Sequence, residues 1–145
     1  MDHLAIMKKS WGLTGKILSG EKKIESRWYL TKRDPWNNIK KGETIYFKDS
    51  GYPVTVKARV SKVLQFGDLN PKKVRALLER YRSEDGIEKD KAHYFYGKFK
   101  TKRYCMLIIL RNPKKVKPFY INKKGFGNMA SWISVGNIKQ IKILN

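Results

Sequence analysis

The fold is indicated by one stretch, Gly20-Glu21-Lys22-Lys23-Ile24-Glu25-Ser26-Arg27-Trp28-Tyr29. Gly20 suits the left-handed backbone position that ends a helix. After it, alternation predicts a strand whose two faces differ in character. One face carries Ile24, Ser26, Trp28 and Leu30, and the other carries Lys23, Glu25, Arg27 and Tyr29. The second face is either a ligand-binding surface or a solvated strand face with a Glu25–Arg27 ion pair, and periodicity leaves both interpretations open.

Four residues of this stretch follow the pattern G-x-K-x-x-E-x-R, namely Gly20, Lys22, Glu25 and Arg27. The pattern resembles the signature of ASCH domains, a branch of the PUA-like superfamily. Residues 41–47, Lys-Gly-Glu-Thr-Ile-Tyr-Phe, resemble the next strand of that family. The resemblance implies a mainly β fold with flanking helices (α+β), a PUA-like β-barrel of mixed strands. The relatives it suggests are small archaeal or thermophilic members.

The resemblance also implies a function. Most ASCH domains are thought to bind RNA or another nucleic acid, in a cleft lined by the Lys, Glu and Arg of the motif. The first expectation is therefore RNA binding through a basic cleft lined by Lys22, Glu25 and Arg27. The alternative is a small hydrolase, because some members hydrolyse an amide on a modified cytidine and others are reported as ribonucleases. The amidohydrolases have Thr at the position of Glu25, so we expect no robust activity on acetylated cytidine.

If the protein is an enzyme, the motif must supply the chemistry. A desolvated Lys22 with a lowered pKa would activate water or a hydroxyl group. Glu25 would act as a base or orient Lys22, and Arg27 would stabilise an oxyanion or a phosphate.

Composition points to a polyanionic partner. The chain has 145 residues, 41% of them hydrophobic, which is enough for one domain, residues 1–145, with a real core. Its formal net charge is +21, from 33 Lys and Arg against 12 Asp and Glu. Such an excess favours nucleic acid, whereas a thermophile-like surface would balance Lys with Glu. A basic structural subunit of a ribonucleoprotein fits the charge equally well.

The cysteine, the histidines and the hydropathy bear on disulfides, metal sites and membrane spans. Cys105 is the one cysteine and lies in an apolar run, so we expect a buried thiol and no intramolecular disulfide. The two histidines, His3 and His93, have no zinc-binding spacing, and we expect neither a metal nor a cofactor. The longest apolar run is far too short for a membrane span. We expect a cytoplasmic monomer.

The loop after the motif is a second candidate for the site. Residues 31–38 contain Lys32, Arg33 and Trp36. Basic and aromatic residues on one loop suit the stacking of a base beside a phosphate contact, with Tyr29 or Trp28 as further stacking partners. Alternatively, Trp36 folds back as a lid on the barrel.

The remaining pattern predicts the other elements. Strands are predicted over 3–7, 43–48, 54–63, 102–111, 118–121 and 138–144. Helices are predicted over 11–19 with Ser10 as cap, over 70–81 with Asn70 as cap, and in a short segment ending near Gly97. Residues 83–90, with four acidic side chains, are interpreted as a surface connection, and 114–117 as a basic turn.

The positive charge is concentrated in one region. Residues 91–145 contain thirteen Lys and Arg and no Asp or Glu. A face without carboxylates attracts phosphates over several ångströms. We therefore predict that the basic loops, which carry Lys114, Lys115, Lys123 and Lys124, adjoin the motif cleft as a track for an RNA backbone.

Overall fold

The computed structural model describes residues 1–143. The strands are β1 (Asp2–Met7), β2 (Ile24–Tyr29), β3 (Thr44–Asp49), β4 (Val54–Phe66), β5 (Tyr104–Phe119) and β6 (Trp132–Val135). The helices are α1 (Leu13–Ser19), α2 (Pro71–Tyr81) and α3 (Ala92–Phe99). None of these helices is long and apolar enough to cross a bilayer.

The six strands form one mixed sheet in the order β2-β5-β4-β3-β1-β6. The β1–β3 pair is parallel, and the other neighbouring strands are antiparallel. The sheet curls into a half-barrel whose edge strands are β2 and β6. The predicted mainly β, mixed-strand fold with flanking helices is confirmed.

Both faces of the motif strand β2 are covered. Glu25 pairs with Ile108 of β5 and Arg27 with Met106, and both of these partners belong to the apolar core inside the half-barrel. Ile24 and Trp28, on the other face, pack in a cluster with residues of α2 and α3. The predicted alternation is correct, and it places Glu25 and Arg27 toward the barrel interior.

Two of the predicted helix boundaries are formed by the expected residues. Gly20, at φ +86°, follows α1 in the left-handed conformation that a glycine adopts without strain. The Asn70 side chain accepts a hydrogen bond from Lys73 N at the start of α2. The predicted helix over 11–19 is divided, because Gly12 at φ +63° separates a 3-10 turn (Lys9–Trp11) from α1. Ser10 therefore does not cap that helix.

The predicted turn at 114–117 was wrong, because β5 runs unbroken through 16 residues. Its second half pairs with the first half of β4, and Asn112 at φ +52° lies where the register shifts. Such a bulge admits a residue like Pro113, which has no backbone N–H to give to the ladder. Lys114 and Lys115 are thus exposed strand residues.

The last predicted strand, over 138–144, was also wrong. Ile138–Gln140 form a 3-10 turn that the Asn137 side chain caps by accepting from Lys139 N. Lys142 then makes an isolated bridge with Ile121, and Leu144 lies outside the described residues. This C-terminal chain packs Ile138 and Ile141 against the outer face of the sheet.

Candidate functional site

The open seam of the half-barrel is bridged by the side chain of Arg27. Its Nη1 donates to Ser131 O at 3.3 Å, and its Nη2 lies 3.4 Å from Met7 Sδ. Ser131 O also accepts from Ile6 N at 2.9 Å, so it belongs to the β1–β6 edge of the sheet. The guanidinium lies 5.1 Å from the centre of the Trp132 ring. One side chain of β2 thereby connects the two sides of the seam.

Glu25 lies between the two cations of the motif. Its Oε2 accepts from Arg27 Nε at 3.0 Å and lies 2.9 Å from Nη2, and its Oε1 lies 3.2 Å from Lys22 Nζ. Lys22, Glu25 and Arg27 are only 2%, 3% and 9% exposed. The Glu25–Arg27 ion pair that the sequence indicated is present, but it is buried and not on a solvated strand face.

A fourth charged residue, Asp85, completes this network. Lys22 Nζ donates to Asp85 Oδ1 at 2.5 Å and to its backbone oxygen at 2.7 Å. Ser26 Oγ donates to Oδ2 at 2.6 Å. With 4% exposure, Asp85 is a buried partner of the motif, and its placement in a surface connection was wrong.

The backbone explains why Asp85 reaches the motif. The amides of Lys23 and Ile24 donate to Glu84 O at 2.6 and 2.9 Å, which holds this segment against the start of β2. Gly86 follows at φ +79°, and a Cβ on it would lie 3.0 Å from Lys22 Cβ. An Asp-Gly pair within the acidic segment was the available sequence signal, since glycine permits so close an approach.

The network is balanced in charge, with two cations and two anions. All three N–H bonds of Lys22 are used, on Glu25 and on two oxygens of Asp85. Burial by itself would lower the pKa of Lys22, but the charges of Asp85 and Glu25 outweigh it and raise that pKa. This shift is opposite to the one that a lysine acting as a general base at neutral pH requires.

Lys22 should therefore stay protonated above its ordinary pKa of 10.5. Because its charged form is held by two carboxylates, the native state should lose this stabilisation only as the pH rises through the raised pKa. Lysine side-chain NMR of the folded protein, titrated with base, measures this directly. A Lys22 signal that titrates below 10.5 would contradict the raised pKa, and one that titrates near neutral pH would restore the general-base role.

The network forms one wall of a cavity of about 180 Å³. Arg27, Glu25, Lys22 and Asp85 line it together with the rings of Trp11, Trp28, Tyr29, Phe95 and Phe99. Trp28 and Phe99 are stacked, with their ring centres 4.7 Å apart and their planes inclined by 7°. A second cavity of about 380 Å³ shares the residues Lys8, Trp11, Leu13, Ile87 and Phe95 with the first. Charged hydrogen-bonding groups and flat apolar walls thus meet in one cleft.

The Trp36 loop lies beside the cleft and does not line it. Trp36 packs against the barrel core and lies edge-on to Tyr104 at 5.3 Å, as the lid alternative described. Lys32 Nζ lies 5.9 Å from the Trp36 ring, and the Arg33 guanidinium lies 5.7 Å from Tyr29. Tyr29, which does line the cavity, donates its hydroxyl to Asp34 O at 3.2 Å, and burial raises its pKa. The other aromatic walls of the cavity come from Trp11, Trp28, Phe95 and Phe99, and none comes from Trp36.

The four lysines of the predicted track occupy different positions. Lys114 and Lys115 lie on β5 beyond Ile109, where its pairing with β2 ends. Lys123 is half-buried and donates to Asn128 O at 2.7 Å and Ala130 O at 3.0 Å, so it holds the chain that leads to Ser131. Lys124 is exposed and lines a separate depression near the C-terminal chain.

Comparison with known structures identifies the class of fold. The chain superimposes on crystal structures of the ASCH protein of Zymomonas mobilis and of a point variant of it. The wild-type structure matches with a TM-score of 0.65 and 17% identity, over 92% of this chain and 87% of that one. The variant matches with a TM-score of 0.68 and 16% identity, over 96% of this chain and 93% of that one. The N-terminal domain of Staphylothermus marinus McrB matches with a TM-score of 0.50 and 13% identity, over 90% of this chain and 81% of that one. No protein-family model and no curated protein matches the sequence. The fold is that of ASCH and PUA-like domains.

Proposed function

We propose that the protein binds RNA through the cleft lined by Lys22, Glu25 and Arg27. The observation that supports this most is the meeting of a buried guanidinium with a wall of aromatic rings in an open cavity. Single-stranded RNA is recognised by stacking its bases on such rings and by hydrogen bonds to the edges of the bases.

Arg27 is the residue to which we assign direct contact with RNA. A guanidinium has five N–H donors. In Arg27 four of these N–H groups are engaged, two with Glu25, one with Ser131 and one with Met7. One N–H remains for an acceptor in the cleft, such as a base carbonyl or a phosphate oxygen. Lys22, whose donors are all used, acts by holding Glu25 and Asp85 in place.

The stacking surfaces are assigned to Trp11 and Tyr29, whose rings both line the cavity. The loop cations Lys32 and Arg33, close to Tyr29 and Trp36, extend this region with positive charge. The formal charge of +21 supplies long-range attraction for any polyanion. RNA is favoured over duplex DNA, because the aromatic rings of the cleft can stack with unpaired bases, whereas the bases of a duplex are already stacked on one another.

The same geometry favours binding over hydrolysis. A hydrolase built on the motif would need Lys22 or Glu25 as the base. The raised pKa of Lys22 removes the first, and both oxygens of Glu25 are occupied by cations. The proposal therefore assigns no bond cleavage to this cleft.

Salt dependence tests the proposal at its simplest. Binding of a fluorescent single-stranded RNA should weaken steeply with salt, with a log–log slope of about −0.7 for each phosphate neutralised. A duplex DNA of the same length, used as competitor, should displace the RNA poorly. Equal competition by the duplex, or binding that salt does not weaken, would contradict the proposal.

A further inference from the structure

Two pairs of cations face each other across the central strands. In the register of β4 and β5, Lys57 lies opposite Lys114 and Arg59 lies opposite Arg111. We refer to these four residues as the cationic ladder. Arg59, Arg111 and Lys114 are exposed, and Lys57 is half-buried.

This arrangement disfavours folding by itself. Like charges directly opposite one another in an antiparallel pair are destabilising. Neither β4 nor β5 contains an Asp or a Glu. Within residues 1–143 none of the four forms a salt bridge, and Arg59 Nη1 donates to the backbone oxygen of Gly42 at 2.8 Å. A single carboxylate on either strand would reduce the repulsion in these two pairs of cations, and the sequence has none there.

The ladder also lies on an uncovered part of the sheet. On β4 the residues Val56, Ala58 and Val60 belong to the core inside the half-barrel, so Lys57 and Arg59, which alternate with them, point to the outer face. On one side of the ladder, Leu107 and Ile109 of β5 are covered by the cluster beneath α2 and α3. On the other, Val116 and Phe119 pack with the C-terminal chain. Between the two covered regions the outer face presents cations to solvent.

Protection of a strand edge explains only part of this pattern. Beyond Ile109, β5 pairs with β4 alone, and lysines and prolines commonly guard such edges against pairing with other chains. That accounts for Lys114 and Pro113. It does not account for Lys57 and Arg59, because β4 is paired with β3 on its other side at those residues.

We infer that the cationic ladder is a second RNA-binding surface, which binds backbone phosphates outside the cleft. The inference rests on the proposed function, since the phosphates are those of the RNA whose base enters the cleft. It keeps Lys114 of the predicted track and replaces the other three lysines with Lys57, Arg59 and Arg111. Lys123 in particular is already engaged with Asn128 and Ala130. Arg111 directly follows Leu110, whose N–H donates to Lys23 O, so the ladder begins beside the motif strand.

The test compares two double variants that lose the same charge. In the ladder variant, Lys57→Gln and Lys114→Gln remove one repulsive pair. In the control, Lys72→Gln and Lys73→Gln remove two exposed lysines from the first turn of α2, where positive charge is also unfavourable. The control site is far from the ladder. The N–H of Leu69, just before this helix turn, donates to Arg103 O, and Arg103 is eight residues, or about 26 Å of extended chain, from Arg111.

The ladder variant should be at least as stable to urea as the wild type, since it loses a repulsive pair. The control loses unfavourable charge at the helix start but also the exposed hydrogen bond from Lys73 Nζ to Asp68 O at 3.3 Å, so its stability should change little. Only the ladder variant should bind single-stranded RNA about tenfold or more weakly. Its salt slope should also become shallower by about 1.4, for two phosphates no longer neutralised. A cleft variant, Arg27→Lys, should lose affinity without that change of slope.

Three results would overturn the inference. One is an unchanged slope in the ladder variant, and another is an equal loss of affinity in the control, which would reflect net charge alone. The third is self-association of the ladder variant with RNA binding intact, which would assign the cations to edge protection. If Arg27→Lys binds like the wild type while the ladder variant does not, the cleft proposal fails and the ladder remains.

Discussion

Asp85→Ala should lower the free energy of unfolding by about 3–5 kcal/mol, the largest stability effect we expect in this protein. The alanine removes the carboxylate that accepts from the ammonium of Lys22, which is 2% exposed. Of the acceptors of this buried charge, only Glu25 and the backbone oxygen of residue 85 remain. The alanine also removes the acceptor of Ser26 Oγ. An unfolding titration in urea measures the loss.

Glu84→Ala is the matched control. It removes a carboxylate from the neighbouring position, but the Glu84 side chain is exposed, and the contact with β2 is made by its backbone oxygen. A change within about 0.5 kcal/mol is expected there. If Asp85→Ala costs as little as Glu84→Ala, the buried pair does not stabilise the site.

Arg27→Lys should reduce the affinity for single-stranded RNA by about tenfold to a hundredfold, the largest effect we expect on binding. Lysine keeps the charge, but it cannot reproduce the paired contact with Glu25 together with the contact to Ser131. Fluorescence anisotropy at one salt concentration measures the change. Arg27→Ala is a weaker probe, because it also strips a buried carboxylate of one partner.

Arg75→Lys is the control for this experiment. Arg75 lies on α2 with its guanidinium 4.5 Å from the centre of the Tyr96 ring, outside the cleft. It makes the same chemical change at the same net charge, and RNA affinity should be unaffected. Wild-type affinity in Arg27→Lys would remove Arg27 from the binding surface. If Arg27→Lys proves unfolded, Glu25→Gln tests the contact between Glu25 and Arg27 instead, because glutamine keeps the shape of the glutamate side chain.

Much of the motif strand could be predicted from sequence, because alternation is a local property. The pattern placed Glu25 and Arg27 on one face and Ile24 and Trp28 on the other, and the structure agrees. It could not show what covers each face. The helices cover one face and the half-barrel encloses the other. The Glu25–Arg27 ion pair, which the sequence pattern alone allows on a solvated face, is therefore buried.

Asp85 could not be placed in the same way. It is 63 residues from Lys22 along the chain, and its contact depends on the turn at Gly86 and on the bonds from Lys23 and Ile24 to Glu84. The length of β5 was missed for a different reason. Pro113 and Pro118 are typical of turns, but a bulge and an unpaired edge accommodate them within a strand.

Photochemical crosslinking of single-stranded RNA, followed by mapping of the modified peptides, tests most directly whether the cleft is the binding site. We expect crosslinks at the aromatic residues of the cleft walls, Trp11, Tyr29 and Phe95 above all, and their loss in Arg27→Lys. Crosslinks confined to surfaces away from these residues, and unchanged by Arg27→Lys, would contradict the proposed binding site.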